Sequence, residues 1–187
     1  MEQKRVFLIH GWEATSKMHW FPWLKQKLTE LGFKAVVPDM PNTENPTLKE
    51  WSAYLKELIA EPDENTFLIG HSLGGSTILR YLSSLGVKRR VGGAVIVASS
   101  VETSKWPEIK SFFAKSLDYE KIKKICPKII GIYSPSDPYV PFSNSEILKK
   151  KLNAEIIVAE NAGHFNTEDG YIRLAQALNA LLKIARN

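Results

Sequence analysis

The stretch Glu64–Leu79, ENTFLIGHSLGGSTIL, decides the fold. Thr66-Phe67-Leu68-Ile69 is a β-rich apolar run of the kind a buried strand uses. Ile78, Leu79, Leu82 and Leu85 beyond it recur at helical spacing. Between them stands Gly70-His71-Ser72-Leu73-Gly74-Gly75. Burying a histidine and a serine costs free energy unless both are hydrogen-bonded. A strand running into this pair therefore either satisfies them inside the core or ends there and lifts the serine out. The glycines speak for the second arrangement, because side chains at Gly70 and Gly74 would crowd a tight turn where strand and helix approach.

Working outward, the same alternation fills the chain. Apolar runs at Val6–Ile9, Ala35–Val37, Ala94–Val97, Ile129–Tyr133 and Ile156–Val158 join Thr66–Ile69 as expected strands. They are continuous rather than alternating, as parallel strands covered on both faces are. Helical stripes lie between them: Trp20, Leu24, Leu28 and Leu31; Leu48, Trp51, Leu55, Leu58 and Ile59; and finally Tyr171, Leu174, Leu178 and Leu181. Gly32 and Gly86 stand where two helices should stop. The fold class expected is α/β: a three-layer α/β/α sandwich around a mostly parallel sheet of about six strands. No linker, repeat or low-complexity tract divides the chain, so residues 1–187 are expected to form one domain. Val101 to Lys128 is short, and Ile109, Phe112, Phe113 and Leu117 read as one helix, too little for a large lid.

Composition excludes several classes. The chain of 187 residues is 44% hydrophobic and 24% charged, ordinary for a soluble globular protein able to bury a core. Cys126 is the one cysteine; it can form no internal disulfide and has no zinc-ligand neighbour, which predicts a reducing, cytoplasmic setting. Met1-Glu2-Gln3-Lys4-Arg5 leads straight into a strand with no signal-like segment, and no apolar run is long enough to span a membrane, so no membrane association is expected. The formal charge of +5 comes from dispersed lysines, such as Lys121-Ile122-Lys123-Lys124 and Lys149-Lys150-Lys151, which read as solvated helix faces. No nucleic-acid motif accompanies them, so no nucleic-acid partner is expected. No cofactor or metal follows either: the Gly74-Gly75 turn lacks dinucleotide-fingerprint spacing and a P-loop lysine.

In an open parallel sheet, ligands gather beyond the carboxyl ends of the strands. Those ends carry His10-Gly11-Trp12, Pro38-Asp39, Gly70-His71-Ser72, Ser99-Ser100, Ser134-Pro135-Ser136-Asp137-Pro138 and Asn161-Ala162-Gly163-His164-Phe165. A serine, an aspartate and a histidine thus fall at three separate strand ends, in that order.

Gly70-His71-Ser72-Leu73-Gly74 is the G-x-S-x-G nucleophile elbow, set between strand and helix as the α/β-hydrolase fold requires. The stretches FLIHGW, HWFPWLKQKL, FLIGHSLGG, SPSDPYVP and NAGHFN resemble, along the whole chain, the retinoblastoma-binding protein nine family of small YdeN-like serine hydrolases. The resemblance implies a Ser–Asp–His hydrolase cleaving small acyl esters through an acyl-enzyme. The chemistry agrees, since a serine hydroxyl needs a base within reach and a third group to orient that base.

Ser72 is the candidate nucleophile. Of the four histidines, His164 lies in the loop where the fold places its base. His71 neighbours Ser72 but points elsewhere in a tight elbow, His10 reads as a brace for its loop, and His19 as a cap or a border of the pocket. Asp137 is the favoured acid, with Glu102 after the preceding strand as its competitor. Asp39 reads as shaping its turn, and Asp169 as a cap for the last helix. The backbone N–H groups of Leu73 and Trp12 are the expected oxyanion donors, with Glu13 as alternative to Trp12. Trp12, Trp106, Tyr139 and Phe165 flank strand ends and are the candidate substrate-binding residues. A protein-binding module on a hydrolase scaffold is the alternative, yet Leu-x-Cys-x-Glu is missing, so no motif supports a protein partner. A peptidase, thioesterase or acyltransferase would use the same triad, and ester, thioester and amide are not separable by sequence.

Overall fold

Six strands make one fully parallel sheet in the computed structural model, which describes residues 3–186. They are β1 (Arg5–Ile9), β2 (Lys34–Val36), β3 (Thr66–His71), β4 (Gly93–Val97), β5 (Ile129–Tyr133) and β6 (Glu155–Val158), in the order β2-β1-β3-β4-β5-β6. Each coincides with an apolar run to within a residue or two. Along β1, Val6 and Leu8 face one layer while Phe7 and Ile9 face the other; in β3, Phe67 and Ile69 oppose Leu68 in the same way. Both faces are covered, which is why the runs are apolar without a break.

Helices α1 (Phe21–Glu30) and α6 (Ala175–Ala185) cover the first face. On the second lie α2 (Leu48–Ile59), α3 (Leu73–Ser84), α4 (Tyr119–Ile125) and α5 (Ser143–Leu152). Thr47 opens α2 by accepting from the Glu50 N–H at 3.2 Å, and Asp118 opens α4 by accepting from the Lys121 N–H at 3.0 Å. Gly32 ends α1 at φ +85°, as expected, whereas α3 stops at Ser84 with Leu85 extended and Gly86 at no positive φ.

Two expectations need correction. Ile109, Phe112, Phe113 and Leu117 do not share one helix, since Leu117 lies outside the one that holds the other three. Pro107–Phe113 is a 3-10 helix burying Ile109 and Phe112, and a separate α4 buries Ile122 and Ile125, begun afresh by the Asp118 cap. Tyr171 precedes the last helix, since Gly170 at φ +86° and a non-helical Leu174 delay its start to Ala175.

The chain leaves β1 toward β2 on one side and then crosses to β3 on the other, so the carboxyl ends of β1 and β3 form the switch point where a ligand site is expected. Among the described residues, no helix is long and apolar enough to cross a membrane. Cys126 is buried, which pushes its thiol up to about 12 and leaves it unreactive.

Candidate active site

Ser72 joins β3 to α3 at φ 53° and ψ −123°, a conformation that costs a side-chain-bearing residue about 1–3 kcal/mol and persists only where its surroundings impose it. They do so here. The Ser72 N–H donates to the Val97 carbonyl at 2.9 Å, and α3 passes directly over the ends of β1 and β3. A Cβ on Gly70 would stand 2.5 Å from the Gly75 Cα, and one on Gly74 would collide with the Ile9 and His10 carbonyls. The elbow exists because those two positions carry no side chain.

His164 follows β6 and lines the same cavity as Ser72, a space of about 410 Å³. Its Nδ1 lies 2.8 Å from Asp137 Oδ2, with the His164 side chain 10% exposed and that of Asp137 2%. The other carboxylate oxygen of Asp137 accepts from the Tyr139 and Val140 N–H groups at 2.8 and 3.0 Å. A carboxylate so placed only accepts, so Nδ1 carries a proton, and in the neutral imidazole that leaves the lone pair on Nε2. Glu102 is engaged elsewhere, taking the Tyr119 hydroxyl at 2.7 Å.

The loop around His164 is tied on every side. Its N–H donates to Asp169 at 2.7 Å; those of Ala162 and Gly163 donate to the Ser134 and Ser136 hydroxyls at 3.1 and 3.2 Å. Trp20 Nε1 donates to the Phe165 carbonyl at 3.0 Å, and the Thr167 N–H donates to His19 Nδ1 at 3.0 Å. His19 and Trp20 of the HWFPW segment thus hold this loop, with His19 also lining the cavity. Asp169 braces His164 rather than capping α6, which begins six positions later at Ala175 (175 − 169).

Trp12, Trp106 and Tyr139 line the cavity, successive ring centroids lying 6.1 and 6.5 Å apart. Phe165 does not, contrary to expectation. Its φ of 58° turns the chain so that the ring is fully buried in the core beneath α1 and α6.

His10 braces its loop as expected: Nδ1 donates to the Gly11 carbonyl and Nε2 accepts from the Met40 N–H, both at 2.9 Å. Gly11 lies so close to the elbow that a Cβ there would be 3.0 Å from the Ser72 Cβ. Among the described residues, the N–H groups of Trp12 and Leu73 have no protein acceptor, whereas that of Glu13 donates to the Thr43 carbonyl at 3.1 Å. This leaves Trp12 and Leu73, not Glu13, with free donors beside Ser72.

Arg80 received no role from the sequence, where it is one polar residue between Leu79 and Tyr81. Buried, it holds the Val101 and Phe112 carbonyls and sits 4.8 Å over the Phe113 ring. It thereby anchors the short cap whose Trp106, Ile109 and Phe113 face the cavity. Burial lowers its guanidinium to about 10, still charged at neutral pH.

Burial also holds His10, His19 and His71 below the ordinary histidine range, His71 furthest. Unfolding restores the ordinary value near 6.5, so below that pH the unfolded chain binds more protons than the folded one. Stability is therefore full above about pH 6.5 and falls as the pH drops through it. Thermal melting from pH 8 to 5 should show Tm declining below about 6.5; a flat Tm over that range contradicts the neutral histidines.

Residues 6–183 match the family described as Serine hydrolase. YdeN of Bacillus subtilis (strain 168) is 35% identical over 172 residues, spanning 91% of this chain and 90% of YdeN. The serine hydrolase RBBP9 of Rattus norvegicus is 29% identical over 154 residues, 80% of each chain. The crystal structure of the ydeN gene product superposes with a TM-score of 0.94 at 33% identity, covering 99% of this chain and all of that one.

Proposed function

The chain belongs to the serine hydrolase family, and from that premise we propose that it is a carboxylesterase-like enzyme cleaving small acyl esters with Ser72, His164 and Asp137. The observation that carries this reading is that His164, held by the buried Asp137 at 2.8 Å, lines one cavity with a strained Ser72.

Ser72 Oγ attacks the ester carbonyl carbon while His164 Nε2 takes the hydroxyl proton. Asp137 holds Nδ1–H and stabilises the imidazolium that results. The carbonyl oxygen becomes an oxyanion between the Trp12 and Leu73 N–H groups, a pair of fixed donors of which each is worth about 10²–10³-fold in rate. His164 then returns the proton to the departing alkoxide, leaving Ser72 acylated. Water, deprotonated by the same imidazole, attacks the acyl carbon and restores the serine.

Trp12, Leu73, Ile109 and Phe113 give the acyl group an apolar wall, and Trp106 and Tyr139 stand exposed at the mouth. The ionised side chains that line the cavity are both acidic, Glu13 and Glu168; among the described residues no lysine or arginine lines it, in a protein of net charge +5. An ester bearing a carboxylate is therefore a poorer substrate than its neutral isostere. We expect kcat/KM to be about two- to fivefold lower at low ionic strength, the gap closing as salt is added. Equal values at low salt contradict an acidic mouth.

A panel of p-nitrophenyl esters, acyl thioesters and aminoacyl amides tests the reaction class. Highest kcat/KM on short neutral esters supports the esterase reading. Thioester or amide turnover exceeding ester turnover replaces it with a thioesterase or peptidase on the same residues.

A further inference from the structure

His71 is used by none of the steps above, yet it is the last residue of β3, is 2% exposed and stands directly beside the nucleophile. Its Nε2 lies 2.7 Å from the carbonyl oxygen of His164. A carbonyl only accepts, so Nε2 carries the proton. Nδ1 has no partner among the described residues. The ring packs among His164, His19 and Trp20 at centroid distances of 4.9, 5.7 and 5.8 Å.

A phenylalanine would fill such a place without leaving a buried nitrogen unpaired, and an unpaired buried acceptor is unfavourable. The hydrogen bond to His164 is what the histidine adds. It joins the two halves of the site at adjacent points: the backbone that lifts Ser72 on one side, the backbone that carries the imidazole on the other. Asp137 orients the His164 ring through Nδ1, and Asp169, Ser134, Ser136 and Trp20 tie its loop to other parts of the fold; the bond from His71 ties it to the elbow itself.

We propose that His71 is a positioning residue whose Nε2–H bond to the His164 carbonyl fixes the separation between Ser72 Oγ and the imidazole. This rests on Ser72 and His164 being nucleophile and base. Nε2–H donates with or without a proton on Nδ1, but the neutral form is the one the core accommodates. A second proton would place an unpaired N–H in the core beside an imidazole that itself turns positive during the reaction. Burial and the neighbouring His164 both keep His71 neutral.

The test compares His71→Phe, His71→Gln and His71→Asn on a p-nitrophenyl ester, with melting curves to establish folding. The Gln amide nitrogen reaches about where Nε2 sits; the Asn amide is too short. His71→Phe and His71→Asn should each lose about 10–100-fold in kcat, with KM within about threefold, because a misplacement of about 1 Å costs that order. Phosphonylation of Ser72 by a fluorophosphonate should slow in parallel, and His71→Gln should recover to within about fivefold of wild type. Wild-type kcat in a folded His71→Phe protein overturns the inference, as do equal losses in folded Phe and Gln variants. Should His71→Phe not fold, the Asn and Gln variants decide: equal rates overturn the proposal and a Gln advantage supports it. His164→Ala is run alongside. Wild-type turnover there overturns the triad reading itself, and this inference with it.

Discussion

Replacing Ser72 by alanine should lower kcat on a p-nitrophenyl ester by about 10⁴–10⁶-fold, with KM changed by no more than about threefold. The loss is large because, in the proposed mechanism, this hydroxyl is the group that becomes covalently bound, and among the described residues it is the one set on the strained turn between β3 and α3. Binding survives because Trp12, Ile109 and Phe113 still line the cavity. On the proposed mechanism, residual turnover comes from the Trp12 and Leu73 N–H groups, which would still polarise the carbonyl for attack by water. The variant should fold normally, since the Ser72 hydroxyl does not cap α3 and alanine keeps the same Cβ in the elbow. Steady-state kinetics with a melting curve checks both halves. A folded Ser72→Ala protein retaining a tenth of wild-type kcat would be incompatible with covalent catalysis at this position.

Asp137→Asn should cost about 10³–10⁴-fold in kcat. The carboxylate accepts from His164 Nδ1–H at 2.8 Å and from two backbone N–H groups through its other oxygen. An amide fits the same space, but it has only one oxygen to accept with. The Tyr139 and Val140 N–H groups claim that oxygen, so the NH₂ turns toward His164. The imidazole then presents its Nδ1 lone pair to the amide and carries its proton on Nε2, where it cannot accept one from Ser72. The same substitution at the rival acid, Glu102→Gln, should leave kcat within about twofold, because among the described residues the hydrogen-bond partner of Glu102 is the Tyr119 hydroxyl and not a histidine. The two variants together locate the acid. Loss at Glu102 with none at Asp137 would reverse the assignment.

The strands were legible because both faces of the sheet are covered, so burial wrote itself into Val6–Ile9 and Ala94–Val97 as unbroken apolar runs. The elbow was legible because its geometry forbids side chains at Gly70 and Gly74, a local demand that leaves a local trace. What the sequence hid was set by contacts between distant segments. Asp169 looked like a helix cap because its partner, the His164 N–H, is reached only through the turn at Gly163 and Gly170, both at positive φ. Phe165 looked like a pocket residue because it follows His164, and a single positive φ sends its ring into the core instead. Arg80 was silent, since its carbonyl partners at Val101 and Phe112 belong to a cap whose path depends on Arg80 itself.

Ser72 as nucleophile is tested most directly by reacting the folded protein with a fluorophosphonate, mapping the adduct by peptide mass spectrometry and following ester hydrolysis in the same sample. The expected result is one adduct per chain, on the peptide carrying Ser72, with activity lost in proportion to labelling. An active, folded protein in which Ser72 stays unmodified, or in which the adduct maps to another residue, contradicts it.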